Sequence, residues 1–157
     1  MANIFEPQRS LRASQLAAVA ERRFDDARVL CDTGKNAHAN GAQYLAGIVI
    51  DILLKAQLIR QNPVTARKRQ HEVLDVERHV WSLIWRSHDL SDMLDQLPEL
   101  RVAVQKVGEE SGQPYLDWLS DICATWTIYV RYSTHTSTMD EARTMLDRVR
   151  ALKEILK

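Results

Sequence analysis

The sequence predicts an all-α protein, a compact up-and-down bundle of four core helices with short additional helices, and three observations carry that prediction. Apolar residues recur every third or fourth position through most of the chain, which is the period of a helix and not of a strand. No segment sustains the apolar–polar alternation that a half-buried strand requires. One stretch, Tyr44 to Ile59, is apolar nearly all round, as befits a helix in the centre of a bundle. The 157 residues, with only five glycines and four prolines, contain no repeat or low-complexity segment on which a second domain could hang. A single domain over 1–157 is expected.

The first helix is predicted from Ser10 or Ser14 to Cys31, with Leu16, Val19, Ala20, Phe24, Ala27, Leu30 and Cys31 in one arc. Asp32, Thr33 and Gly34 close it. Arg23 projects into that arc, and either its stem snorkels to the rim or its guanidinium pairs with a buried acid. The second helix, about Ala37 to Gln61, is the central one. Gln43 and Gln57 share one of its faces, and Asp51 and Lys55 lie one turn apart on another. Enclosed, that ion pair points to specificity or function; exposed, it contributes only about 0.3 to 0.5 kcal/mol.

Asn62-Pro63 closes the central helix, and the basic run Arg67-Lys68-Arg69 reads as a solvated tether or as a nucleic-acid contact. A third helix is expected from His71 to Arg86, with Val73, Val76, Val80, Leu83 and Ile84 as its core stripe and Trp81 and Trp85 widening the flank. A short helix follows His88-Asp89-Leu90 as far as Leu97, and another runs from Glu99 to Glu110. Gly112 to Pro114 breaks the chain. Pro114 suits the first turn of the next helix, whose Tyr115, Leu119, Ile122, Cys123, Trp126 and Val130 recur at helical spacing up to about Arg131. The last helix opens on Thr138 with Glu141 three residues on, a capping box, and buries Ala142, Met145, Leu146, Val149, Leu152, Ile155 and Leu156.

Lys plus Arg and Asp plus Glu both number 21, so no global field draws the molecule onto a nucleic acid or an anionic membrane. Met1 to Gln8 lacks a basic stretch followed by an apolar core, and no uninterrupted apolar run approaches the roughly eighteen residues of a bilayer span. A cytoplasmic protein without membrane contact is expected, with Cys31 and Cys123 as reduced, packed thiols and a redox pair as the alternative. His71-Glu72-Val73-Leu74-Asp75 lacks the second histidine of the zinc-protease pattern His-Glu-x-x-His. His71, Asp75 and His79 share a helical stripe of ligand types, but that stripe faces away from the core and reads as solvated surface, so no metal is expected. A nucleophile elbow, a phosphate-cradling glycine loop and paired Cys-x-x-Cys clusters are absent.

The remaining polar constellation is Asp51 and Lys55, His88 and Asp89, and the turn Arg131-Tyr132-Ser133-Thr134-His135. Tyr44-Leu45-Ala46-Gly47 through Leu53-Leu54-Lys55-Ala56, then His88-Asp89-Leu90, then Arg131-Tyr132 before a last amphipathic helix, resembles the bacterial proteins of the HEPN superfamily. The resemblance runs from about Phe24 to the C-terminus, with Asp51 where the family more often has glutamate. It implies a bundle of about four core helices that forms a homodimer, with RNA or a cognate antitoxin or nucleotidyltransferase-type protein as further partners and no cofactor. It places the chain among toxin–antitoxin, defence or mobile-element proteins. Active members are metal-independent ribonucleases whose motif is arginine, four to six residues, then histidine, so the resemblance nominates Arg131 and His135 as catalytic. Guanidinium would hold the scissile phosphate and imidazole would move the proton.

Three residues separate Arg131 from His135, one fewer than that motif's minimum, and Tyr132 replaces the polar residue that often follows the arginine. The bland account has Arg131 capping the preceding helix with His135 solvated, and Ser87 or Asp89 as N-cap of the short helix with His88 packed over its first turn. Asp51, Lys55, His88, Asp89 and Tyr132 are then binding candidates. The expected function is a non-catalytic, homodimeric interaction or RNA-associated module, which exposed Trp81 or Trp85 beside a groove would favour. The alternatives are the ribonuclease and a small-ligand or nucleotide-binding bundle built on Asp51, Lys55 and Arg131.

Overall fold

The computed structural model describes residues 12–157, and all the regular structure among them is helical. Ser10, one of the two expected starts, and the Met1–Gln8 segment lie outside the described residues. Helix α1 (Ala13–Asp32) begins where the Arg12 N–H donates to Gln15 Oε1 at 2.7 Å and buries Ala20, Phe24, Ala27 and Cys31. Two residues past its end the chain turns at Gly34, whose φ of 67° suits a residue without Cβ. Arg23 takes neither expected course in full, for it stays half-exposed and pairs at 2.8 Å with Asp26, itself half-exposed.

Helix α2 (Ala39–Gln61) is the central post. Val49, Ile50, Leu53, Leu54 and Leu58 are fully enclosed, each contributing about 1.5 to 3 kcal/mol by leaving water. Asn36–Gln61 is long and apolar enough to cross a membrane, yet here it is mostly buried under the rest of the bundle. Two polar residues on its flank moor the last helix, α8 (Met139–Leu156), at both ends. Gln43 accepts from Ser137 Oγ at 3.0 Å, and Gln57 donates to the carbonyl of Leu156 at 2.8 Å. Those contacts fix α8 parallel to α2. The Thr138–Glu141 capping box forms as expected. Lys153, in the last turns of α8, is buried between α8 and α1, with its ammonium 2.6 Å from Glu21 and 5.0 Å from the Phe24 ring centroid.

The third expected helix is not one helix. Helix α3 (Pro63–Arg67) follows α2, two 3-10 turns span Gln70–Glu72 and Asp75–Glu77, and only Arg78–Trp85 forms helix α4. Val76, expected in the core, is 89% exposed, whereas Val73, Leu83 and Ile84 are buried. The first half of the segment is held by polar contacts instead. Glu77 accepts from Lys68 Nζ at 2.6 Å and from Thr65 Oγ at 3.1 Å, and it caps the Leu74 N–H at 3.0 Å. Trp81 and Trp85 do not offer an open aromatic surface: their indole N–H groups donate to the carbonyls of Lys68 (3.0 Å) and Ala66 (3.2 Å), stapling the tether down.

Helices α5 (Leu90–Asp95) and α6 (Pro98–Ser111) match expectation, and Gly112 ends α6 in the left-handed conformation at φ 68°. Helix α7 (Tyr115–Thr125) is shorter than expected, with Pro114 as its N-cap and Trp126 extended at ψ 136°. The run Thr125-Trp126-Thr127-Ile128-Tyr129-Val130 is β-branched and aromatic throughout, which disfavours helix propagation. A 3-10 turn, Ile128–Tyr132, carries the chain over α2 towards α8. Cys31 and Cys123 are both free and buried, and burial pushes the Cys123 thiol up to about 12, as suits packed thiols.

Candidate functional site

Three of the residues singled out in sequence meet at one carboxylate. Asp51 projects from the middle of α2 and is only 3% exposed. Its Oδ2 accepts from Lys55 Nζ at 3.0 Å, one helical turn on, and lies 3.2 Å from His88 Nδ1, which arrives from the turn ahead of α5. Lys55 Nζ is 3.5 Å from the same ring nitrogen, at the limit of a hydrogen bond. The pair expected to be either enclosed or exposed is thus enclosed, with the Lys55 side chain 14% exposed.

His88 is held there by its neighbours. Asp89 is the N-cap of α5, accepting from the Asp92 N–H at 3.0 Å, while Ser87 Oγ accepts from the Asp89 N–H at 3.0 Å. These two short bonds fix the turn so that the imidazole points back at α2 and not over the first turn of α5. A carboxylate fully surrounded by apolar side chains would be costly, and here Lys55 and His88 offset part of that cost. Asp51 Oδ1 has no hydrogen-bond partner among the described residues.

Trp126 contributes a second orphan. Its indole sits in the notch left by Gly47, so closely that a Cβ on Gly47 would lie 2.0 Å from Trp126 Nε1. The ring stacks on Tyr44, centroids 6.2 Å apart, and Nε1 is buried without a partner among the described residues. Gly47 and Asp51 are one turn apart on α2, so both orphans belong to the same strip of that helix. A groove of about 580 Å³ opens beside them, lined among others by Arg86, His88, Cys123, Trp126, Ile128 and Tyr129.

The other nominated residues lie elsewhere. Arg131 falls in the 3-10 turn Ile128–Tyr132, and its side chain lies outside the described residues. The preceding helix ends at Thr125, so Arg131 falls beyond its last turn. Tyr132 is 68% exposed, as is most of the turn that follows. His135 is exposed, and its carbonyl accepts from Asn40 Nδ2 at 2.8 Å while Asn40 Oδ1 accepts from the Ser137 N–H at 2.9 Å. Asn40 and Asp51 are eleven residues apart on α2, about 16 Å along the axis. The His135 turn and the Asp51–Lys55–His88 cluster are therefore two places and not one cleft within the chain.

The stripe His71, Asp75, His79 dissolves with the helix that would have aligned it: His79 instead pairs with Asp92 at 3.1 Å, and no group of three potential metal ligands occurs among the described residues. Sequence reasoning passed over Trp126 and Tyr129 as site residues, treating the first as core and leaving the second unmentioned. The signal for Trp126 was Gly47, a glycine in the apolar middle of the central helix, which marks a close approach. Comparison of the chain with protein-family models, with curated proteins and with solved structures found no match to any of them.

Proposed function

We propose that the chain is a HEPN-like helical module of the cytoplasm that acts by binding, as a homodimer and in association with RNA, and that does not cleave RNA through Arg131 and His135. The observation that carries this reading is how the motif residues are used. Asp51, Lys55 and His88 are tied to one another in the interior, where they join the α5 turn to the central helix. His135, at the end of the shortened motif, sits on an exposed turn about three turns of α2 away from them. A general base must stand within hydrogen-bond reach of the proton it takes and be held there, and the His135 ring makes no hydrogen bond among the described residues, Glu141 acting on it only through space.

Binding needs surface, and the open Trp81 or Trp85 that would have favoured this reading is absent. Tyr129 and Tyr132, 72% and 68% exposed on either side of Arg131 in sequence, take that place. Exposed tyrosine beside arginine suits a protein interface or a stacked base. A cognate antitoxin or nucleotidyltransferase-type protein would be a further partner of the same surface.

Size-exclusion chromatography with light scattering at micromolar concentration tests the dimer: a mass of twice 18.0 kDa is expected, and a monodisperse monomer sinks it. Total RNA incubated with the purified protein and excess chelator should stay intact. Cleavage that disappears in Arg131→Ala would instead establish the metal-independent ribonuclease.

A further inference from the structure

We infer that the groove beside His88 is a binding site for a small, neutral, planar molecule that carries an O–H or N–H donor, with His88 Nε2 as the acceptor. The first ground is the orientation of His88. Its Nδ1 stands 3.2 Å from Asp51 Oδ2, a buried carboxylate oxygen that also takes Lys55. A carboxylate only accepts, so in the neutral ring the proton belongs on Nδ1, where it donates to Asp51. The lone pair then resides on Nε2, at the opposite edge of the imidazole. Nε2 has no partner among the described residues, and His88, with a side chain 38% exposed, lines the groove. A buried acid that fixes the tautomer and aim of a histidine at a cavity wall is how proteins present an acceptor to a ligand.

The second ground is the wall itself. Trp126, 5% exposed, lines the same groove while its Nε1 is turned to Gly47 and buried there, so the ring contributes a surface and not a donor. Ile128, Leu90 and Ala124 supply apolar surface, Ser87, Ser91 and Thr127 polar surface, and Tyr129 in the lining is 72% exposed. Flat aromatic walls favour a planar ring. Charge selects a neutral one: Arg86 and Asp89 are the formal charges in the lining, of opposite sign, and each is already engaged, Arg86 with Gln70 Oε1 and the Trp81 face, Asp89 with the Asp92 N–H. At about 580 Å³ the groove falls within the usual range of ligand sites. Its lining does not include His135, so it does not depend on the ribonuclease reading, and it shares only Tyr129 with the partner surface proposed above.

Phenol and toluene make the test, because they share a ring and differ in the donor. In the full-length protein, ligand-observed NMR at millimolar concentration should show phenol binding about five-fold more tightly than toluene, the worth of one hydrogen bond. The His88 Nε2 resonance should move with phenol and stay still with toluene. His88→Ala should leave the two ligands equal, and Tyr129→Ala should weaken both. Equal affinities in the wild type, no binding of either, or a phenol complex that leaves Nε2 unmoved overturns the proposal, and the last readout stands even where a variant fails to fold.

Discussion

The sector built from α1, α2 and α8 and the stretch from Pro63 to Asp89 hold their shape by different means. In the first, continuous apolar stripes face one another, and the polar side chains Gln43, Gln57 and Lys153 do little more than set register and direction. In the second, short helical pieces are fastened by single groups: two indole N–H donors, one carboxylate with three partners and one N-cap. Val64, Leu74 and Val76 remain exposed there. Where burial decides, periodicity is destiny; where it does not, individual hydrogen bonds choose the backbone.

The largest effect should come from the first sector, at its tightest contact. Gly47→Ala would set a Cβ 2.0 Å from the Trp126 indole, which is enclosed and cannot swing away without vacating the core. Overpacking of this kind costs about 3 kcal/mol at its upper end. Urea unfolding should show the loss, accompanied by a red shift of tryptophan emission as the ring is expelled. An unchanged midpoint would mean that Trp126 is not seated in that notch.

Gly47 also marks how far the sequence could be read. The 3.6-residue pattern located α1, α2, α6 and α8 within a few residues, because each buries a stripe that only a helix can make continuous. The same pattern misjudged 71–77 and 126–131. Val73 and Val76 fit a helical stripe on paper, yet Lys68, Thr65 and Leu74 compete for the Glu77 carboxylate and bend the chain into 3-10 turns, leaving Val76 in water. Beyond Thr125 the β-branched run stops the helix and lets Trp126 turn back onto Gly47. Of the polar constellation, the Asp51–Lys55 spacing was legible because both lie on one helix. The arrival of His88 was not, since it depends on where the α5 turn packs.

A smaller effect is expected at Asp51. Removing one member of a buried pair leaves the other charge desolvated, a loss of about 3 to 5 kcal/mol for a fully enclosed pair. The Lys55 side chain retains 14% of its surface, more than Asp51 does, so Asp51→Ala should cost about 2 kcal/mol, below that range. Asp51→Ala should also loosen the turn at His88, read as faster amide exchange at 88–92. Stability lost without any change at 88–92 would separate His88 from the carboxylate. In the tether sector, Trp81→Phe keeps the ring and removes one donor from the Lys68 carbonyl, so about 1 kcal/mol is expected. An effect as large as that of Gly47→Ala would erase the distinction between the two sectors.

The finest probe is acid, because each sector rests on a carboxylate held below its ordinary value. Lys68 first, and then the Leu74 N–H and Thr65, keep the Glu77 carboxyl below 4.5, while Lys153 and Lys157 do the same for Glu21 between α1 and α8. A carboxyl whose folded value lies below its unfolded one stabilises fully above the unfolded value and loses that contribution as the pH falls through the folded one. Glu77→Gln should therefore reduce amide protection at 65–77 at neutral pH, and the gap from wild type should close progressively below 4.5. Glu21→Gln should show the same window, but its loss of protection should be shallow, since apolar packing keeps α1 on α2 when the charge is gone. If Glu21→Gln opens its sector as widely as Glu77→Gln opens the tether, then charge and not burial secures both, and the contrast between them fails.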